Sequence, residues 1–87
     1  MEKEIEVINK LGLHVRPATL LVQTATKFSS SIKLSKEDIE VDCKSLIEIL
    51  TLDAGKGSTI RIIVQGDDET KAAQAIEKLF KDKFGED

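Results

Sequence analysis

Residues 31–43 read SIKLSKEDIEVDC. Ile32 and Leu34 alternate with polar residues, Lys36 to Asp38 interrupt the pattern, and Ile39, Val41 and Cys43 then alternate with Glu40 and Asp42. A period of two places each apolar set on one side of an extended chain. The stretch therefore predicts two strands and a turn. Each strand offers a single apolar face, so the sheet is expected to be mostly antiparallel, with helices on one side and water on the other.

The flanking segments extend this pattern. KEIEVI (3–8) alternates, with Ile5 and Val7 on one face, and TIRIIVQ (59–65) does the same with Ile60, Ile62 and Val64. Residues 17–28, PATLLVQTATKF, follow helical spacing, with Ala18, Leu21, Val22, Ala25 and Phe28 on the inward stripe. Pro17 suits the first helical position, and Leu20 falls off the stripe as a surplus apolar residue. The serines at 29–31 close that helix. Ser45 suits the N-cap of a short helix, LIEILTL (46–52), and DAGKGS (53–58) supplies a glycine loop. GDDE (66–69) leads into a last helix from Glu69 to Lys81 that buries Ala72, Ala73, Ile76, Leu79 and Phe80. The expected fold is α+β in the order βαββαβα, with Glu4, Glu6, Lys33, Arg61 and Gln65 on the wet side of the sheet.

At 87 residues the chain is expected to be one domain, 1–87, with no room for a second core. Charged residues make up 33% and hydrophobic ones 40%, as in an ordinary folded protein. A net charge of −3 argues against a basic field for nucleic acid or an anionic membrane. Trp and Tyr are absent and the three Phe lie outside the strands, which argues against a base-stacking sheet. Cys43 is the only cysteine, so no internal disulfide is expected. No apolar run is long enough to span a bilayer, and the alternating N-terminus lacks a signal core, so a cytoplasmic address is expected.

The only histidine, His14, precedes Arg16 and the only proline, Pro17. It falls between the first strand and the first helix. A helix N-terminus carries unsatisfied N–H groups and about half a positive charge, which suits an anion and disfavours imidazolium. Histidine there tends to its neutral, nucleophilic form. A phosphoryl group on the ring would meet the helix dipole and its N–H donors, and Arg16 could add a fork matched to phosphate oxygens. Gly12 lets the approach loop bend. A loop histidine beside a helix-starting proline would give the same local pattern, so spacing alone leaves both readings open. Zinc would want further clustered ligands, and there is no second histidine; no metal or cofactor is expected. GKGS (55–58) lacks phosphate-loop spacing and reads as a glycine turn.

The short helix carries more apolar residues than one buried stripe uses. With Ile49 and Leu52 inward, Leu46, Ile47 and Leu50 are left at least partly exposed. They are either a partner surface or more deeply buried than the spacing suggests.

With LGLHVRPA at 11–18 followed about thirty residues later by KSLIEIL at 44–50, the chain resembles the HPr family. These are the histidine-containing phosphocarriers of the phosphoenolpyruvate-dependent phosphotransferase system. The likeness covers essentially the whole chain, and residues 50–87 look more like the nitrogen-branch relative, NPr. It implies an open-faced β-sandwich with the strand order one, four, two, three. It also implies a carrier rather than an enzyme, which accepts a phosphoryl group on His14, through Nδ1, from phospho-enzyme I and passes it to an enzyme IIA. Arg16 would assist the phosphate, and Val15, Leu20, Leu46, Ile47 and Leu50 would form the docking surface. Ser45 aligns with the serine that an HPr kinase modifies in some bacteria, although a plain N-cap is the favoured reading of it. A transiently docking carrier is expected to be a monomer. Glu48 stands where sugar-branch relatives often carry a small residue, commonly glycine, Val15 replaces a commoner alanine, and Lys27 is the only lysine of the first helix, where those relatives often carry lysines. These departures leave the sugar and nitrogen branches both open. A regulatory binding module of the same fold, with phosphorylation as signal rather than cargo, is the alternative.

Overall fold

The alternating runs pair edge to edge. The computed structural model describes residues 1–86, with β1 (Glu2–Glu6), α1 (Val15–Ala25), β2 (Ser31–Lys36), β3 (Ile39–Asp42), α2 (Leu46–Thr51), β4 (Thr59–Gln65) and α3 (Glu69–Lys81). A 3-10 turn at Lys83–Gly85 follows. The sheet runs β1-β4-β2-β3, and every neighbouring pair is antiparallel. Hence β4 is the shared partner, matching Ile5 to Ile60 on one side and Leu34 to Ile62 on the other.

Ile32, Leu34, Val41, Ile60, Ile62 and Val64 point inward and are buried. The helices cover them through Leu21, Ile49, Leu52, Ile76 and Phe80, with Ala18, Ala25, Ala72 and Ala73 where little room is left. Small side chains let the helix axes approach closely. The opposite face is polar: Glu4, Glu6, Lys33, Arg61 and Gln65 are all exposed. Its ion pairs, Lys33 to Glu40 at 3.3 Å and Arg61 to Glu2 at 3.6 Å, are solvated and contribute little. Among the described residues no helix is long and apolar enough to cross a membrane.

The expected elements form, with adjustments at their ends. Helix α1 begins at Val15, so Pro17 is its third residue rather than its first. The first helical bond runs from the Ala18 N–H to the His14 carbonyl at 3.0 Å, so a proline anywhere before Ala18 removes no bond. At the other end α1 stops at Ala25 and Phe28 lies in the following turn, half-buried against the core. Ile39 was expected inward with Val41 and Cys43, but it is 48% exposed. It sits at the hairpin end of β3, an edge strand with a neighbour on one side only. Leu79, also expected inside, is half-buried at the margin of α3. Cys43 lies in the core, its N–H donating to the Ile32 carbonyl at 2.9 Å. Burial first, and the neighbouring Asp42 second, push its thiol up to about 12 against the smaller opposing effect of Lys44.

Asp68, at the N-cap of α3, ties that helix to the turn between α1 and β2. Its carboxylate accepts from the Ser29 and Ser30 amides, each at 3.0 Å, and from the Ser30 hydroxyl. The Ser30 hydroxyl first, then the Ser29 amide, hold this carboxyl below the usual aspartate range; desolvation opposes them and the Ser30 amide adds to them. A depressed folded pKa stabilises the fold above the unfolded-state value, and that contribution is lost as pH falls through the folded value. Asp68→Asn is therefore expected to lower stability at neutral pH. Urea denaturation at about pH 7 and about pH 3 should show the gap between wild type and variant shrinking in acid.

Candidate functional site

His14 stands immediately before α1 as its N-cap, in extended conformation, with no capping hydrogen bond from its ring. The N–H groups of Val15 and Arg16 precede the first helical bond, and Pro17 has none. Two backbone donors and the positive end of the helix dipole therefore lie beside the imidazole. The ring is about one-third exposed, at 36%.

Two loops set this position. The N–H of Leu13 donates to the Ala54 carbonyl at 2.8 Å, and Val7 exchanges bonds with Gly57 (2.8 Å) and Ser58 (2.9 Å). Gly12 lies where these loops cross, with φ +70; an added Cβ would collide with the Ala54 carbonyl oxygen and come within 2.7 Å of the Gly55 Cα. Asn9, fully buried, braces the inside of the turn by donating from Nδ2 to the Gly12 carbonyl at 2.7 Å. The GKGS stretch is the glycine turn that its spacing suggests, closed by the Ser58 N–H on the Gly55 carbonyl at 3.1 Å.

The far end of the chain also reaches the site. Lys83 and Phe84 both take left-handed conformations, which turn the backbone back after α3. Such residues cost about 1 kcal/mol or more each. The Phe84 ring offsets this by burial, edge-on to Phe80 with ring centroids 5.0 Å apart. Glu86 then lies between His14 and Arg16. Its Oε2 is 3.0 Å from His14 Nε2 and accepts from Arg16 Nη1 at 3.2 Å, while its Oε1 accepts from Asn9 Nδ2 at 3.2 Å. Arg16 Nη1 also donates to the Phe84 carbonyl at 3.0 Å. Desolvation works against the charged form of Glu86. The Asn9 amide, the Arg16 guanidinium and the His14 ring together outweigh it and hold the carboxyl below the usual glutamate range.

Of the expected surface, Val15 (58%), Ile47 (77%) and Leu50 (37%) are exposed. Leu20 and Leu46 are half-buried against the core. Helices α1 and α2 pack on each other, and Leu50 shares with His14 a shallow hollow of about 250 Å³ that is also lined by Leu11, Leu13 and Asp53. Leu11, 70% exposed, was not expected there. Ser45 is the N-cap of α2, its hydroxyl accepting from the Glu48 N–H at 3.3 Å. The Glu48 carboxylate accepts in turn from the Asp42 N–H at 3.1 Å, which gives this side chain a local task at the start of α2. Asn9 and Glu86 also escaped the sequence reading. The available signal was an apolar Phe84 beside a glycine beyond the end of a helix, a pattern that turns a chain back onto its core.

A family model described as "PTS HPr component phosphorylation site" matches residues 1–82. The chain belongs to the HPr family. Membership makes it a phosphocarrier of the phosphotransferase system rather than a catalytic enzyme. It is 44% identical to the phosphocarrier protein HPr of Treponema pallidum, over 98% of this chain and 97% of that one. The crystal structure of HPr-C-His from Thermoanaerobacter tengcongensis superposes with a TM-score of 0.96 at 45% identity, covering 100% of this chain and 98% of that one. A structure of an HPr dimer from the same organism superposes with a TM-score of 0.81 at 46% identity, covering 94% of each chain.

If the crossing at Gly12 places the histidine, filling it is expected to unseat the loop. Gly12→Ala should cost at least about 1 kcal/mol, because the left-handed backbone and the collision act together. Thermal denaturation measures the loss.

Proposed function

We propose that the protein carries a phosphoryl group on His14 Nδ1, taken from phospho-enzyme I and delivered to an enzyme IIA acceptor in the cytoplasm. The observation that carries this reading is the imidazole at the mouth of α1, beside the Val15 and Arg16 N–H groups and the Arg16 guanidinium. A phosphate on the ring adds negative charge where the helix dipole and backbone donors favour it. The guanidinium offers further donors in a planar fork and exchanges its contact with Glu86 for phosphate oxygens. The exposed ring gives a donor access, and the apolar side chains around it suit transient docking. Val15, Ile47 and Leu50 supply the exposed part of that surface, and Leu20 and Leu46 support it from its half-buried margin. Transfer then depends on bringing donor and acceptor nitrogens into line. Ser45 is read as an N-cap rather than a kinase target, since its hydroxyl already serves Glu48.

Incubation with phosphoenolpyruvate and a matching enzyme I is expected to add one acid-labile phosphate to the wild type and none to His14→Ala. Equal labelling of the variant would sink the assignment. Arg16→Ala is expected to keep its fold and to accept phosphate roughly ten-fold or more slowly, the value of a lost charge-assisted hydrogen bond. Onward transfer to an enzyme IIA separates a carrier from a regulatory module, which would keep its phosphate.

A further inference from the structure

We infer that Glu86 is a positioning residue for phosphoryl acceptance, its carboxylate holding the proton of His14 on Nε2 so that Nδ1 presents its lone pair. The inference rests on the carrier reading above and assigns a role to a residue far from His14 in sequence.

An ionised carboxylate can only accept, so the nitrogen it faces at 3.0 Å must be the donor. In the neutral ring this leaves Nδ1 unprotonated, and Nδ1 has no hydrogen-bond partner among the described residues. The carboxylate is itself held from two further sides. Asn9 Nδ2 binds its Oε1, and Arg16 Nη1 binds the same Oε2 that faces the histidine. The buried Phe84 and the left-handed backbone at Lys83 and Phe84 fix the direction from which it arrives. Asp53 lines the same hollow as the ring.

In transfer, the Nδ1 lone pair forms a bond to phosphorus while the donor's bond to phosphorus breaks, and its electron pair leaves with the donor. No proton has to move, because the ring's proton already sits on Nε2. The ring gains positive charge at the nitrogen that Glu86 faces, so the carboxylate opposes the charge as it develops. A free imidazole exchanges its proton between both nitrogens, and each Nδ1–H form is unable to accept.

The test is nitrogen-15 NMR of the histidine ring in the unphosphorylated protein at mildly alkaline pH, together with the rate of phosphate uptake from phospho-enzyme I. Wild type is expected to show a slowly exchanging Nε2 proton and a single tautomer. In Glu86→Ala that proton should exchange too fast to observe and the Nδ1–H form should appear. Uptake should fall about ten-fold, chiefly because the charge that opposes the developing imidazolium is lost, with the circular dichroism spectrum unchanged. Glu86→Gln, which keeps an acceptor oxygen without the charge, should restore the visible proton but not the full rate. Ring signals in Glu86→Ala identical to wild type overturn the inference, and so do equal uptake rates whatever the ring signals show. A wild type that shows the guarded proton yet takes up no phosphate overturns the carrier reading instead, and with it any role for Glu86 in transfer.

Discussion

The close crossing of two backbone segments at Gly12 and Ala54 decides where the imidazole stands. One segment leaves β1, the other enters β4, and those strands are hydrogen-bonded neighbours. The crossing is thus an extension of the sheet beyond its last paired residues. It works only where one partner lacks a Cβ and accepts a left-handed backbone. From there the chain has a single short step, through Leu13, to the start of α1. Helix N-terminus, histidine and arginine follow from that point with little freedom left.

The sheet serves the site indirectly. With β4 central and antiparallel to both neighbours, the loops at its start lie at the end of the sheet where α1 begins. The three helices are confined to one face, which leaves α2 beside α1 and its outer side without cover. The apolar side chains of α2 that the core cannot take, Ile47 and Leu50, consequently share one side of the molecule with the histidine. A small core and an exposed apolar surface are in this way two outcomes of the same excess of leucine and isoleucine.

Much of this was legible in the sequence wherever the signal is periodic and local. The ends of α3 and β4 match the expected residues, because Gly66 and the acidic cap bound a strongly amphipathic run. The N-cap role of Ser45 and the surplus apolar residues of α2 were legible for the same reason. The start of α1 was misplaced by two residues, since a proline fits any position of the first turn and so marks its neighbourhood rather than its beginning. Ile39 has the period of a buried residue but the location of an edge, and period carries no information about cover. Glu86 lay wholly outside the reading. Its contacts with Asn9, His14 and Arg16 span most of the chain, and they depend on two left-handed residues that no pattern of polarity encodes. The identity of the cargo was not legible from spacing either; the family supplied it.

Cys43 has a consequence for the chemistry that the molecule ignores. Thiol reagents and peroxides react with the thiolate, and this thiol is both enclosed and held far from ionisation at physiological pH. As the only cysteine of the chain, it leaves the folded protein without a sulfhydryl handle. Shifts in redox poise should therefore leave the core of this phosphocarrier unaltered. The same silence makes the background clean for labelling: a cysteine introduced on the polar face of the sheet would be the one reactive thiol, far from the helices that bear the histidine.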